Sequence, residues 1–284
     1  MTELPGWHFH PDVWVLVAVL EGAYLLALRG ESRRLGAPAA RRAQVVAFTA
    51  GVATVWVASD WPVHDVAEGY LYSAHMVQHL LLTLVAAPLV LLGTPAWLAR
   101  RILSPRWLLN LVRGVSRPVP NLIQANLVLV LSHWPAVVEG TLRHHPLHFV
   151  AHAVLITSAL VMWLPVVSPL PDEVPRLAPP AQMLYLFLET IIPTVPASFL
   201  TFGRTPLYHI YETFPRLWGI SAVTDQQVAG LIMKIGAGAF LWAVIITIFF
   251  RWYAEEERGG SKDVLLWHDV ERELKRLERS EGGR

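Results

Sequence analysis

Seven long stretches of mostly apolar residues constrain this chain more than any other feature of its sequence. The hydrocarbon core of a bilayer, about 30 Å thick, is crossed by about 20 apolar residues in a helix. The stretches have this length and lack the alternation of apolar and polar residues that a membrane β-barrel needs. We therefore predict an all-α, polytopic membrane helix bundle with seven transmembrane helices. These cover residues 12–28, 43–60, 70–93, 119–139, 148–168, 180–202 and 226–252.

Basic residues between the apolar stretches predict the orientation. Of the 23 Lys and Arg residues, 19 fall in segments on one side of the bundle and three on the other. Because cytoplasmic segments carry the excess of positive charge, we expect the N-terminus outside and the C-terminus in the cytoplasm. We divide the chain into a seven-helix transmembrane domain, residues 1–253, and a charged cytoplasmic tail, residues 254–284. Apolar residues at three- and four-residue spacing predict an amphipathic helix in the tail: Trp267, Val270, Leu274 and Leu277.

Composition excludes several classes of protein. The 284 residues include no cysteine, which excludes disulfides, thiolate zinc sites and iron–sulfur clusters. The net charge of +1 gives nucleic-acid binding no support. The sequence has no Walker motif, no G-x-S-x-G and no H-E-x-x-H. We therefore expect a protein without catalytic turnover.

Histidines form the most distinctive polar pattern. Four of the twelve form two i, i+4 pairs, His75 with His79 in the third apolar stretch and His148 with His152 in the fifth. Four residues turn a helix by about 400°, so each pair shares one helix face. His133 in the fourth stretch reaches the same outer third of the membrane. We predict that these five imidazoles converge on one metal ion, and imidazole ligands suit copper.

Two carboxylates lie at the same level as the histidines. Asp60 ends the second apolar stretch at its outer side, and Asp225 precedes the seventh. We predict that both belong to the metal site and orient imidazole N–H groups around the ion. Asp225 is also a candidate N-cap of the seventh helix.

Three ionisable residues fall inside the apolar stretches, namely Glu21, Glu189 and Lys234. An unpaired charge at such a depth costs about 2.5–3.5 kcal/mol on insertion scales. We therefore expect a buried ion network in which Lys234 pairs with Glu21 or Glu189. The sequence leaves open a structural ion pair and a pathway for protons or ions.

Three segments of the chain resemble the CtaG family of membrane proteins, which assist the assembly of cytochrome c oxidase. They are SAHMVQHLLL at residues 73–82, with Pro88 and LGTP at 92–95, then SHWP at 132–135, and DQQVAGLIM at 225–233. The resemblance extends over about residues 8–252. The chain departs from the family pattern at residues 234–238, KIGAG, where a Trp and a Pro-Gly turn are expected.

This resemblance implies an assembly factor in a plasma membrane of the bacterial type, associated with the copper centre of a haem–copper oxidase. Its expected partners are oxidase subunits and the lipid bilayer. A soluble copper donor and a homodimer remain open. The oxidase copper site lies within the membrane towards its outer face, at a depth that matches the histidines of this chain.

Two other functions are consistent with the sequence. A b-type cytochrome would use one histidine of the third helix and one of the fifth as axial haem ligands. A transporter would use Glu21, Glu189 and Lys234 as a coupling network. The transporter is the weaker alternative, because the chain has no paired halves with matching broken helices.

Overall fold

The structure is a computed structural model that describes the backbone of residues 6–281, and their side chains except those of residues 145, 259–269 and 273–281. Helices make up all of its regular secondary structure, which confirms the predicted all-α class. In chain order, the α-helices are α1 (Pro11–Leu35), α2 (Arg42–Ser59), α3 (Val63–Gly69), α4 (Tyr72–Leu80), α5 (Ala87–Gly93), α6 (Ala96–Ile102), α7 (Arg106–Val115), α8 (Pro118–Ser132), α9 (Pro135–Arg143), α10 (His145–Val167), α11 (Pro179–Ile191), α12 (Thr194–Phe202), α13 (Ala222–Leu231) and α14 (Ala237–Glu281).

Seven segments match the predicted membrane helices. Six are continuous enough to cross a membrane alone, and α8 with α9 makes a seventh if this pair, bent by 65°, is counted as one span. The segments are Pro11–Leu35, Arg42–Gly69, Tyr72–Gly93, Pro118–Ser132 with Pro135–Arg143, Pro146–Val167, Pro179–Phe202 and Ala222–Arg258. The polytopic helix bundle is thereby confirmed, whereas the orientation of its termini stays a prediction.

The fourth predicted helix is broken rather than continuous. Helix α8 ends at Ser132, and α9 begins at Pro135. Proline has no N–H to donate and its ring clashes with the preceding turn, so a straight helix cannot run through this position. His133 consequently lies at the break, as the C-cap of α8.

The segment over residues 61–69, which we expected to be a loop, contains the short helix α3. Asp60 ends α2, and Leu71 precedes the first turn of α4. Helix α3 packs against α4, and its buried Val66 contacts Leu71 and Leu217. Helical geometry in this segment matters for the site, because it places residues four apart on one face.

Two π-helical turns interrupt the membrane helices close to the histidines. One, Leu81–Ala86, joins α4 to α5, and the other, Ile232–Gly236, joins α13 to α14 and packs against α4. The Trp163 indole donates a hydrogen bond to the Thr83 carbonyl in the first of these turns, at 2.9 Å. Single π-helical turns inside α-helices are frequent at functional sites.

Helix α13 lies unusually close to α12, and a glycine permits this contact. A Cβ atom on Gly230 would lie 2.8 Å from the Ala197 carbonyl oxygen and 2.8 Å from the Thr201 amide nitrogen. Any larger residue would push the two helices apart. The contact thereby packs α13, which also carries Asp225, closely against α12.

The predicted cytoplasmic tail continues the last membrane helix. Helix α14 runs without interruption from the membrane segment to Glu281. Of the four residues predicted for its apolar face, Val270 is exposed, whereas the side chains of Trp267, Leu274 and Leu277 lie outside the described ones. The amphipathic character of the tail and the domain division at residue 253 stay predictions.

Candidate metal centre

The two predicted histidine pairs face each other in the interior of the bundle. On α4, the ring centroids of His75 and His79 lie 4.2 Å apart, and on α10 those of His148 and His152 are stacked at 4.3 Å. The His152 ring lies 6.0 Å from the His75 ring and 5.4 Å from the His79 ring. The fold therefore brings together imidazoles that are 73 or more residues apart in sequence.

Three of these imidazoles are close enough to share one ion. His75, His79 and His152 each offer a nitrogen, and the three nitrogens lie within 4.8 Å of one another. A point between them is then no more than about 2.8 Å from each, whereas metal–nitrogen bonds are about 2.0–2.1 Å long. Shifts of less than about 1 Å would close the site around an ion, which lies within the range of ordinary side-chain adjustments.

The nitrogens of this triad have no other partners among the described residues. Nδ1 of His75, Nδ1 of His79 and Nε2 of His152 are buried without a hydrogen bond. A buried polar atom left unpaired costs about 1–3 kcal/mol. One unpaired nitrogen on each of three neighbouring rings is expected of a ligand set and is costly for a purely structural cluster.

His133 lies beside the triad and is oriented by the helix break. Its ring lies 5.8 Å from the His79 ring at an angle of 90°. Its Nδ1 lies 2.7 Å from the Leu129 carbonyl oxygen, which can only accept a hydrogen bond, so Nδ1 carries the proton. Nε2 is buried, has no partner among the described residues and keeps its lone pair. Backbone support of this kind is typical of metal-binding histidines.

Tyrosines from the segment between α12 and α13 cover this region on the outer side. The Tyr208 hydroxyl donates a hydrogen bond to the His133 carbonyl oxygen at 2.8 Å, and its ring lies 4.7 Å from that of Tyr72. Burial raises the pKa of Tyr208 to about 12, so its hydroxyl remains a donor over the physiological pH range. The tyrosines thus exclude water from above the histidines and fix the helix break.

His148 lies on the outer side of the triad and contacts residues that the sequence analysis missed. Its Nε2 lies 2.8 Å from Glu68 Oε1, and the same oxygen lies 3.2 Å from His64 Nε2. The i, i+4 spacing of His64 and Glu68 in the sequence was an available signal. The predicted connection over residues 61–69 gives that spacing no geometric meaning, because residues four apart share a face only in a helix.

Asp60 does not orient an imidazole in the structure. Its Oδ2 accepts a hydrogen bond from the indole N–H of Trp56 at 3.0 Å, and its Oδ1 is buried without a hydrogen bond to a described residue. The predicted role is therefore not observed. The reason is that Asp60 ends α2, where the nearest donor is a side chain of the preceding helical turn.

Asp225 also has hydrogen-bond partners other than the predicted imidazoles. Its carboxylate accepts hydrogen bonds from the backbone N–H groups of Tyr72 and Ser73, and the N-cap of α13 is Ser221, whose hydroxyl accepts from the Thr224 amide. The prediction that Asp225 caps its own helix is wrong. It instead stabilises the first turn of α4, the helix that carries His75.

The ion pair predicted between Lys234 and Glu21 or Glu189 is not found among the described side chains. The Thr49 hydroxyl donates to Glu21 at 2.7 Å, and the Asn126 amide donates to the buried Glu189 at 2.9 Å. Lys234 is exposed, and among the described side chains no ion pair joins it to either glutamate. Each carboxylate thus has one neutral hydrogen-bond donor where we predict a lysine, and its second oxygen, Oε2 of Glu21 and Oε1 of Glu189, is buried without a hydrogen bond to a described residue.

A cavity of about 100 Å³ lies on the inner side of His79 and His133. The buried thioethers of Met76 and Met233 also line it, together with apolar side chains. Glu189 and Lys234 reach the same cavity from α11 and the second π-helical turn. The triad therefore has polar and sulfur-bearing neighbours on its inner side as well.

Fold and site together define a class, that of a polytopic helical membrane protein with a buried histidine cluster between its helices. Within that class, a family model described as cytochrome c oxidase caa3 assembly factor (Caa3_CtaG) matches residues 22–255, and the chain belongs to this family. The match confirms the resemblance seen in the sequence. Comparisons with curated proteins and with solved structures found no match.

Proposed function

We propose that this cytochrome c oxidase assembly factor holds a copper ion at His75, His79 and His152 and passes it to the oxidase during assembly. Two observations carry this proposal: His75, His79 and His152 each offer a nitrogen within 4.8 Å of the others, and each ring has one buried nitrogen without a hydrogen bond to a described residue. Copper is a cargo here, so the protein performs no catalytic turnover.

The donor set favours release as well as binding. Thiolates bind Cu(I) most tightly, and the chain has no cysteine. A site of imidazoles alone holds copper less tightly than thiolates would, so an oxidase site that docks against the triad can take over the ion, whereas the buried position of the triad slows its loss to a soluble chelator. Because the triad lies within membrane-spanning helices, the ion could move to another membrane protein without crossing a layer of hydrocarbon.

The inner side of the triad offers further ligands for such a transfer. Nε2 of His133 is available next to His79, and the thioethers of Met76 and Met233 line the adjoining cavity. Imidazole and thioether are both ligands of Cu(I). These residues support a path from the triad towards the membrane interior.

Haem binding is less well supported than copper binding. Sites for organic ligands and cofactors usually have volumes of about 300–1,000 Å³. The cavity beside His79 measures about 100 Å³, which is well below this range. A metal ion fits the space between the rings of His75, His79 and His152, whereas a porphyrin would have to push these rings apart.

Metal analysis of the purified protein, together with its visible spectrum, tests the proposal. We expect one tightly bound copper per chain, and a loss of at least 100-fold in affinity when His75→Ala is combined with His79→Ala. His133→Ala should weaken binding by about tenfold, since it removes a neighbour rather than a member of the triad.

His209→Ala is the matched control, because His209 is an exposed histidine that pairs with Glu212. It should bind copper like the unmodified protein. Unchanged affinity in the double variant would refute the copper site, and a Soret band in the same sample would replace it with the haem alternative.

The proposed partners are oxidase subunits that accept the ion, a soluble copper donor and the lipids of a bacterial-type plasma membrane. In cells that produce the His75→Ala and His79→Ala double variant, the oxidase should assemble with less copper than in cells producing the His209→Ala control. Equal copper content in the two oxidases would contradict the transfer step.

A further inference from the structure

A second cluster of metal-binding side chains adjoins the triad on its outer side. It consists of His64 and Glu68, one turn apart on α3, and His148 on α10, and we refer to it as the outer cluster. A single oxygen, Glu68 Oε1, lies 3.2 Å from Nε2 of His64 and 2.8 Å from Nε2 of His148. One carboxylate thus stands between two imidazoles that belong to different helices.

The outer cluster leads directly to the triad. The His148 ring is stacked on the His152 ring at 4.3 Å and lies 6.2 Å from the His75 ring. The His64 ring lies 6.1 Å from the His148 ring. The centroids of neighbouring rings in this series are therefore 4.3–6.2 Å apart, so each imidazole is in contact with the next.

The cluster also leads outwards, to the protein surface. The His10 ring lies 4.9 Å from the His64 ring, and both His10 and His8 pair with Asp65, at 2.9 and 3.5 Å. The exposed fraction of the side chain falls along this series, from 68% for His8 to 20% for His10, 19% for His64 and 10% for His148. A continuous row of histidines and carboxylates thus connects the aqueous phase with the buried triad.

A hydrogen bond from α4 fixes the orientation of the His64 ring in the outer cluster. The side-chain amide of Gln78, on α4 between the two triad histidines, donates to Nδ1 of His64 at 3.2 Å. Nδ1 of His64 is therefore the acceptor nitrogen, and Nε2, which carries the proton of the neutral ring, faces Glu68; an ion bound at Nε2 would displace that proton. Both ring nitrogens of the buried His148 are without a hydrogen bond to a described residue, although Nε2 lies 2.8 Å from Glu68 Oε1. His148 thus has two nitrogens that the contacts between α3 and α10 leave available to a ligand.

We propose that the outer cluster is an intake site, at which a copper ion arriving from water is first bound as Cu(II), and from which it passes to the imidazoles of the triad without a change of oxidation state. This inference rests on the proposed copper-binding function and adds the route of loading. Carboxylate and imidazole ligands suit Cu(II), and the negative charges of Asp65 and Glu68 attract a cation that the uncharged triad would not. Each successive ligand replaces water, so the ion is not stripped of its hydration shell in one step.

The test measures how fast the triad of the full-length protein is loaded. Purified protein is mixed with copper(II) sulfate, excess EDTA is added at set times, and the copper that resists EDTA is quantified as the copper bound at the triad. We expect Glu68→Gln to slow the loading at least tenfold and to leave the final copper content unchanged. Glu68→Asp should restore most of the rate, because it restores the charge.

Glu212→Gln is the matched control, since Glu212 is an exposed carboxylate that pairs with His209 away from the row. It should load at the rate of the unmodified protein. If Glu68→Gln fails to fold, as judged by size-exclusion chromatography, His64→Asn and His10→Asn carry the test and should each slow loading severalfold.

Two failures are distinguishable in this experiment. Loading of Glu68→Gln, or of the two histidine variants, at the unmodified rate would overturn the intake site and leave the triad intact. Absence of EDTA-resistant copper in the unmodified protein would instead overturn the proposed copper-binding function, and the intake site with it.

Discussion

The carboxylate of Asp225 accepts a hydrogen bond from the backbone N–H of Tyr72 at 2.6 Å, which joins α13 to the first turn of α4. The first N–H groups of a helix have no partner within the helix, and a carboxylate there also interacts favourably with the helix dipole. A second bond, from the Ser73 amide at 3.0 Å, makes the contact bidentate. His75 lies two residues after Ser73 on α4. This contact therefore sets the position of the triad relative to α13.

Asp225→Ala should therefore weaken both the fold and the metal site. Two amide groups lose their acceptor, which costs about 1–3 kcal/mol when the groups are buried. We expect a lower thermal midpoint in detergent and a reduced copper affinity. Glu256→Ala, at an exposed position within α14 and far from a helix N-terminus, is the control and should change neither quantity. An unchanged midpoint for Asp225→Ala would contradict the role given to this carboxylate.

The contact between α12 and α13 predicts a contrast between two glycines. Gly230→Ala would place a methyl group against the backbone of Ala197 and Thr201, and overpacking of this kind typically costs about 1–3 kcal/mol. At Gly238, also helical, a Cβ would meet nothing within 4 Å, so Gly238→Ala should be neutral or stabilising by up to about 1 kcal/mol. Thermal midpoints of the two variants measure the difference, and equal midpoints would refute the close approach.

The sequence was sufficient to predict the membrane helices and the two histidine pairs. Membrane helices are recognisable from length and hydrophobicity alone, because the bilayer fixes both. The pairs His75 with His79 and His148 with His152 follow from helix geometry, which is local. Their mutual approach was a hypothesis, based on equal depth, that the geometry of the structure supports.

Contacts between helices were beyond what local patterns can predict. Asp225 binds α4 instead of its own helix because a serine four residues earlier caps α13. Glu68 went unnoticed because α3 is too short to show an apolar period. Lys234 forms no ion pair with Glu21 or Glu189 among the described side chains, and Thr49 and Asn126 each donate to one oxygen of these carboxylates instead. Each case depends on which helices are neighbours, and a single sequence does not contain that information.

An ion pair outside the membrane segments predicts a pH dependence of stability. The Arg100 guanidinium, 2.6 Å from Glu173, lowers the pKa of that carboxyl below its ordinary value. A carboxyl with a lowered pKa stabilises the folded state above its unfolded pKa, about 4.3, and loses this contribution as the pH falls through the folded pKa. At pH 7, the thermal midpoint of Glu173→Gln should therefore lie below that of the unmodified protein. At strongly acidic pH, the two midpoints should be equal.

Glu257→Gln, at an exposed position of α14, serves as the control for this measurement. Its thermal midpoint should follow that of the unmodified protein at every pH. A difference between Glu173→Gln and the unmodified protein that persists at acidic pH would show that Glu173 acts through packing, and not through its charge.

The orientation of the bundle can be tested by labelling, because the chain has no cysteine of its own. Thr205→Cys lies between α12 and α13, and Ser104→Cys lies between α6 and α7, both at exposed positions. The positive-inside rule predicts that a membrane-impermeant maleimide labels Thr205→Cys in intact cells and Ser104→Cys only after lysis. The unmodified protein should remain unlabelled, and the reverse pattern would invert the predicted orientation.

This labelling result also decides from which compartment copper arrives. The segment that contains Thr205 covers α3, since the Tyr211 hydroxyl donates to the Ala67 carbonyl at 3.1 Å. The outer cluster on α3 therefore opens on the side of the membrane that Thr205 faces. Labelling of Thr205→Cys in intact cells would make the intake site accessible to copper from outside the cytoplasm. Labelling of Ser104→Cys instead would require that a cytoplasmic donor load the same row of histidines.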